Sequence, residues 1–347
     1  MLRSYKYVVT VHHKLHGFVI DLFNRIEFES SDFSDDFFDA DFLAIVDRHK
    51  SILKKEFVAI YEEIRQWPQA DKTDLCEKIR LSNDIENICS GGYLPIVLDK
   101  KVIGINKRIR TLFLKLYSNV LDGAAFREKY NTSLREHFDK FRQENKNITL
   151  CPICGISELK TKYDVNRDQY DHYLPKSLYP FTSINFRNLV PTCKECNSFD
   201  VKGDKDTVAV STGKIFYPYD DNHKGIEILF DIVKDAADVS KIQWKVQFSN
   251  PDGKTDEVES WKRIYNIENR YLGYVKGRVE KWYKAYWSYM NNGQLSHLTN
   301  EDKSSCYLVA LEVDETECLS LIRKPALVAF LAMSSLEKAQ QEAAAYT

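Results

Sequence analysis

Apolar residues recur three and four positions apart through most of the chain up to about residue 145. In HGFVIDLFNRIEF, FLAIVDRHKSILKKEFVAIYEEIRQW, IRTLFLKLYSNVL and LREHFDKFRQE they form one-sided stripes with the period of amphipathic helices. Between the first two, EFESSDFSDDFFDADF sets Ser and Asp before an apolar run. That order suits a loop feeding a helix N-terminus, where acids complement the dipole, and its acid and phenylalanine mixture also suits a partner-binding segment. SGGYLPIVLDKK, with Gly-Gly and Pro, predicts a turn and a short extended piece.

Beyond the centre, TGKIFYPYDDNHKGIEILFDIVKD predicts an extended aromatic piece, a turn and then a helix. Ile242, Trp244, Val246 and Phe248 alternate in KIQWKVQFSNPDGK, which predicts a strand with one buried face and an Asp-Gly turn at its end. From Val258 to Met290 the period is helical again. Trp261, Tyr265, Tyr271, Trp282 and Trp287 are assigned there to the core rather than to base stacking. Lys262, Arg263, Arg270, Lys276, Arg278, Lys281 and Lys284 supply a basic face for phosphate contacts. The C-terminus reads as helical with a frayed tail.

Composition places these elements in a globular protein: of 347 residues, 44% are hydrophobic and 29% charged, enough for two or three compact units. No run of about 18 apolar residues and no secretion signal is visible, so a cytoplasmic location is expected. The net charge of -2 excludes a chain coated in positive charge but allows a local basic face. Lys100, Lys101, Lys107, Arg108 and Arg110 form one such cluster, to be weighed against the commoner solvated helix face. His12, His13 and His16 lack a nearby acid or Cys to complete a metal site and read as surface histidines.

The chemistry concentrates between Cys151 and Asp206. Cys151 and Cys154, then Cys193 and Cys196, are paired Cys-x-x-Cys turns, and four thiolates in a tetrahedron suit a structural zinc with no position left for water. The other four of the eight cysteines, Cys76, Cys89, Cys306 and Cys318, sit in apolar helical patterns and read as small core residues. Between the pairs, NRDQYDHYL predicts a strand leading into a loop at Pro175. Alternation puts Asp171 and His172 on opposite faces of an ideal strand, so one site can use both only where the chain twists or bulges.

Asp171-His172, then Asn188-Leu189, then Cys193-x-x-Cys196-Asn197 resembles the HNH nucleases in the order of its motifs, over about residues 148 to 206. The resemblance implies a ββα-metal module, a two-stranded hairpin with its loop followed by a helix and clamped by the zinc turns. It implies His172 as general base, Asp171 and Asn197 as ligands of a catalytic Mg2+ or Mn2+, and Asn188 as a brace for the loop holding the histidine. The family often has His where this chain has Asn197. A lysine commonly follows closely, whereas here Lys202 comes later, which leaves Lys176 as an alternative phosphate contact.

DHYLPKSLYP followed by NLVPTCKECN is also similar to HNH components of bacterial anti-phage systems, Septu-like ones included. That likeness implies DNA as substrate, RNA as an alternative, and an ABC-type ATPase as partner. The expected architecture is mainly α with a small α+β module. A helical domain spans 1–147, the zinc-bound nuclease module 148–206, and a mostly helical region with a short strand 207–347. The rival expectations are a zinc-stabilised binding or scaffolding protein without activity and a toxic effector that cuts RNA or tRNA.

Overall fold

A computed structural model describes residues 1–146, 148–234, 241–311 and 319–333. Cys318 and the tail beyond residue 333, both given a reading above, lie outside them. The described residues are mainly helical, with two small two-stranded sheets.

The N-terminal helices follow the apolar stripes. They are α1 (His13–Phe28), α2 (Ala40–Arg48), α3 (Lys54–Ile64), α4 (Gln69–Ser82), α5 (Ile85–Cys89), α6 (Gly104–Lys115), α7 (Ala124–Tyr130) and α8 (Leu134–Glu144). The acid-rich break does feed a helix start, because Asp39 accepts hydrogen bonds from the Asp41 and Phe42 amides at the head of α2. Ser133 and Glu136 close a capping box at the head of α8. Where one continuous helix could follow FLAIVDRHKS, His49 interrupts it with a turn between α2 and α3. Residues 93–99 form no regular element and join no sheet.

These helices bury one core that also takes Tyr170, Phe181, Ile184, Phe186 and Leu189 from the central stretch. A second core gathers Met1, Leu2, Tyr5 and Val8, the four paired cysteines, and the aromatic residues of the C-terminal part. The central stretch therefore lies between two apolar cores and contributes to both.

Its strands are short. β1 (Tyr170–His172) pairs antiparallel with β2 (Leu189–Pro191), with Asp171 opposite Val190 and His172 opposite Leu189. The hydroxyls of Tyr219 and Tyr5 donate to the Leu189 and Pro191 carbonyls, each at 2.6 Å. The helix expected after β2 does not form. Residues 194–204 are a run of turns, followed only by the four-residue α9 (Thr207–Val210). The Ser198 hydroxyl donates to the Glu195 carbonyl at 2.7 Å, and Gly203 sits at φ +47°, a left-handed geometry that ends helices.

The expected helix near residue 230 is likewise replaced by a strand. β3 (Glu227–Lys234) pairs with β4 (Gln243–Ser249), and Ile228 and Phe230 are buried on alternate positions while Glu227, Leu229 and Asp231 face out. The β-branched residues and the long partner strand favour period two over the helical period. β4 keeps its expected buried face through Trp244 and Val246, with Ile242 buried just ahead of it. Next come α10 (Thr255–Tyr265), α11 (Ile267–Lys276), α12 (Val279–Met290), α13 (Asn300–Ala310) and α14 (Lys324–Leu331). Trp261, Tyr265, Tyr271 and Trp282 are core residues, as expected. Cys76 and Cys89 are buried too, whereas Cys306 is exposed on α13, whose polar start leaves that face to solvent. Among the described residues no helix is long and apolar enough to cross a membrane.

Candidate active site and metal centre

The four paired cysteines converge, with all Sγ atoms within 4.8 Å of one another and all four residues buried. Cys151 and Cys196 Sγ are 4.0 Å apart, and Cys154 and Cys193 Sγ 3.9 Å. A disulfide needs about 2.05 Å; a tetrahedron of Zn–S bonds of about 2.3 Å gives edges of about 3.8 Å. The spacing fits a metal such as zinc.

Backbone amides supply the usual partners of thiolates in such turns. Ile156 N donates to Cys154 Sγ and Cys196 N to Cys193 Sγ, each at 3.4 Å. Gly155 adopts φ +60°, and a Cβ there would come within 2.3 Å of the Leu2 side chain, so the turn needs glycine for conformation and for space. Four thiolates around a divalent ion leave excess negative charge, and Arg270 from α11 answers it with Nη1 at 3.4 Å from Cys196 Sγ. Trp261 Nε1 donates to the Ile153 carbonyl at 2.7 Å and Tyr271 Oη to the Cys154 carbonyl at 2.6 Å. Helices about a hundred residues away thus clamp the first cysteine turn.

A separate cleft of about 410 Å3 is lined by Asp171, His172, Asn197, Lys176, Tyr117 and Asp204, among others. The structure therefore brings Asp171 and His172 to one cleft without a bulge, because β1 is only three residues long and ends at His172. The His172 ring packs edge-on against Tyr117 with centroids 4.3 Å apart. Its Nε2 lies 3.0 Å from the Ser183 carbonyl oxygen. A carbonyl can only accept, so Nε2 carries the proton and the neutral ring keeps its lone pair on Nδ1. Burial, reinforced by the charges of Lys176 and Lys202, holds this imidazole well below its ordinary pKa.

Asn188 is not in the cleft. It is fully buried beneath it, where Oδ1 accepts from Leu174 N at 2.7 Å while Nδ2 donates to the Leu174 carbonyl at 3.0 Å and to Thr182 Oγ1 at 2.8 Å. One amide side chain thereby ties both backbone groups of Leu174 to the turn around Thr182, closing the loop that follows His172. The Asn197 side chain is half-buried at the cleft and bonds no other described residue.

Asp171 is occupied from within the protein. Lys202 Nζ sits 2.8 Å from its Oδ1 and 2.8 Å from the His172 carbonyl oxygen. Tyr265 Oη approaches Oδ2 at 3.5 Å. The side chains of Lys202 and Asp171 are 0% and 3% exposed, so this pair is shut away from water. Burial pushes the Asp171 carboxyl above its usual range, and the lysine offsets that.

Lys202 thus neutralises Asp171 instead of reaching out for phosphate. Its position in sequence hinted at a role near the motif, but nothing in the spacing showed which group it meets. Tyr117 carried no signal; it lies in the π-helical segment Leu116–Val120 that continues α6. Lys176 does reach the cleft, with its Nζ over the Tyr117 ring at 4.8 Å, and burial lowers its pKa.

Other candidates find structural partners. Arg108 pairs with Glu56, and Arg110 donates to the Leu98 and Ser177 carbonyls, which leaves Lys100, Lys101 and Lys107 exposed. Of the histidines placed at the surface, His12 is interior and His13 and His16 are half-buried. His12 is fully buried, its ring stacked on Phe126 at 5.2 Å and edge-on to His137 at 5.6 Å. His13 stacks on Phe186 at 4.9 Å, and His16 bonds Asn83 at 2.9 Å. Aromatic neighbours from α7, α8 and the central stretch cover His12 and His13, which local sequence does not show.

The comparisons with known proteins are narrow. Over 44 residues the chain is 39% identical to the Septu protein PtuB of Bacillus thuringiensis, covering 13% of this chain and 17% of that protein. The chain therefore matches about a sixth of that relative's length. No protein-family model and no solved structure matches it.

Proposed function

We propose that this chain is a zinc-stabilised HNH endonuclease that hydrolyses phosphodiester bonds, in DNA first, as an effector of anti-phage defence in the cytoplasm. The observation that carries the reading is His172. Its Nε2 is committed to the Ser183 carbonyl, its Nδ1 keeps the lone pair, and its depressed pKa keeps it unprotonated at neutral pH, the state a general base needs. The motif order from Asp171 to Asn197 and the partial likeness to a Septu protein support the same reading.

In this mechanism His172 takes a proton from water as it attacks phosphorus in line. Asn188 holds the loop that aims the ring, and Lys176 attracts the phosphate into the cleft. A Mg2+ or Mn2+ ion belongs to the proposal, and it would neutralise charge on the leaving oxygen. Of its two expected ligands, Asn197 offers a free oxygen, while Asp171 is held by Lys202, so the folded arrangement does not fit the full ligand pair.

On this reading the helical regions 1–147 and 207–347 position or restrain the module at 148–206, and an ABC-type ATPase is the partner to look for. Incubating plasmid, single-stranded DNA and total RNA with wild type and His172→Ala, in Mg2+ and in Mn2+, tests it. Cleavage lost only in the variant, with zinc retained, is expected; a His172→Ala protein that still nicks would sink the mechanism. RNA cut in preference to DNA would move the chain to the toxic-effector class. The Lys202–Asp171 pair favours a second reading, an inactive binding or scaffolding module, and nucleic acid bound but never cut in either metal would establish it.

A further inference from the structure

We infer that Lys202 is a resident counter-ion that keeps divalent metal off Asp171, so that the metal reaches this carboxylate only when the lysine withdraws. The inference rests on the nuclease reading for its purpose but not for its geometry. Lys202 Nζ contacts Asp171 Oδ1 and the His172 carbonyl, both at 2.8 Å, with neither side chain open to water. A hard divalent ion binds carboxylate oxygen at about 2.1 Å. On the same oxygen it would lie within about 5 Å of the ammonium, with little water between to screen two positive charges.

The other carboxylate oxygen lies 3.5 Å from the buried Tyr265 hydroxyl. Metal and lysine are therefore alternatives at Asp171. The lysine stands on a segment that could give way. Residues 198–205 are turns closed by bonds across three positions, Val201 N to Ser198 O and Lys205 N to Lys202 O, so moving them breaks neither a helix nor a strand. By holding the His172 carbonyl as well, Lys202 acts as a positioning residue for the dipeptide even while it excludes the ion.

The test reads metal binding rather than cleavage. Zinc-loaded full-length wild type, Lys202→Met, Asp171→Asn and the double variant are titrated with Mn2+, and free Mn2+ is followed by electron paramagnetic resonance. Lys202→Met should bind Mn2+ at least tenfold more tightly than wild type, and the gain should vanish in the double variant. A purely structural lysine would not produce that pattern. Unchanged affinity in Lys202→Met, or a gain that survives without Asp171, overturns the inference.

If Lys202→Met does not fold, Lys202→Gln removes the charge and keeps a donor, and the same comparison applies. Failure of both to fold would show a lysine that cannot vacate, and would overturn the inference too. A Mn2+ site opened in Lys202→Met with no nucleic acid cut would refute the nuclease reading and leave the counter-ion role standing. Cleavage by wild type with no change in Mn2+ affinity on substitution would do the reverse.

Discussion

His172 donates its Nε2 proton to the carbonyl of Ser183, and Ser183 in turn donates its hydroxyl to the carbonyl of Phe113 on α6, at 3.0 and 2.9 Å. The ring is therefore oriented by the N-terminal helices. Its low pKa has a kinetic consequence: a base unprotonated well below pH 6.5 should leave the acid limb of a cleavage profile flat from about pH 8 to about pH 6. A rate that falls tenfold per pH unit immediately below pH 7 would mean another group sets the base's titration.

Asn188→Ala should damage both stability and activity. It strands the buried Leu174 amide and carbonyl, each of which costs about 1–3 kcal/mol unsatisfied, and takes a donor from the Thr182 hydroxyl, which still donates to the Tyr179 carbonyl. Urea denaturation should show a loss of at least about 2 kcal/mol. Asn188→Asp keeps the acceptor for Leu174 N but sets a buried carboxylate oxygen against the Leu174 carbonyl, so it should not rescue the loss.

Purified protein should hold one zinc per chain, and Cys193→Ser should lose it. Structural zinc in small modules contributes about 10 kcal/mol or more of folding free energy at neutral pH. Chelation should therefore lower the melting temperature and loosen Trp261, whose indole is bonded to the Ile153 carbonyl inside the first cysteine turn. A red shift or quenching change in tryptophan emission on chelation, absent in Trp261→Phe, reads this directly. Metal content of zero in well-folded wild type would exclude a zinc centre.

The buried histidines predict acid sensitivity. Burial lowers His12 and His13 to about 4 and His137 to about 2, against about 6.5 in the unfolded chain. Below pH 6.5 the unfolded state then binds more protons than the folded one. Their contribution is complete above about pH 6.5 and is lost as pH falls towards 4, with a slope of up to about 1.4 kcal/mol per pH unit for each group. Melting temperatures measured from pH 7.5 to pH 5 should hold to about pH 6.5 and then fall, less steeply in His12→Phe.

The helices of the first 145 residues, the strand around Trp244 and the convergence of four cysteines were legible because each depends on a local period or on a spacing. What escaped depends on distant partners. EILFDIVK carries apolar residues that suit either a helix or a strand, and pairing with β4 decides it. His12 becomes interior only when Phe126, His137 and Phe186 arrive from elsewhere in the chain. Lys202 turns inward because Asp171 lies beneath it, and a helix expected after Asn197 gives way to the turns that let it do so. At the site, then, residue types and their order could be read, but the charge already sitting on Asp171 could not.

The tyrosine hydroxyls on Leu189 and Pro191 also bear on how this molecule can be approached. In an antiparallel pair these carbonyls point away from β1, and they are the groups to which an incoming strand would bond. Tyr219 and Tyr5 fill them, and Pro191 has no amide to offer in return. The β2 edge of the little sheet that carries the Asp-His pair is thus sealed against growth. Two copies of this chain cannot zip together along that edge, and a protein that docks here has to read side-chain shape and charge.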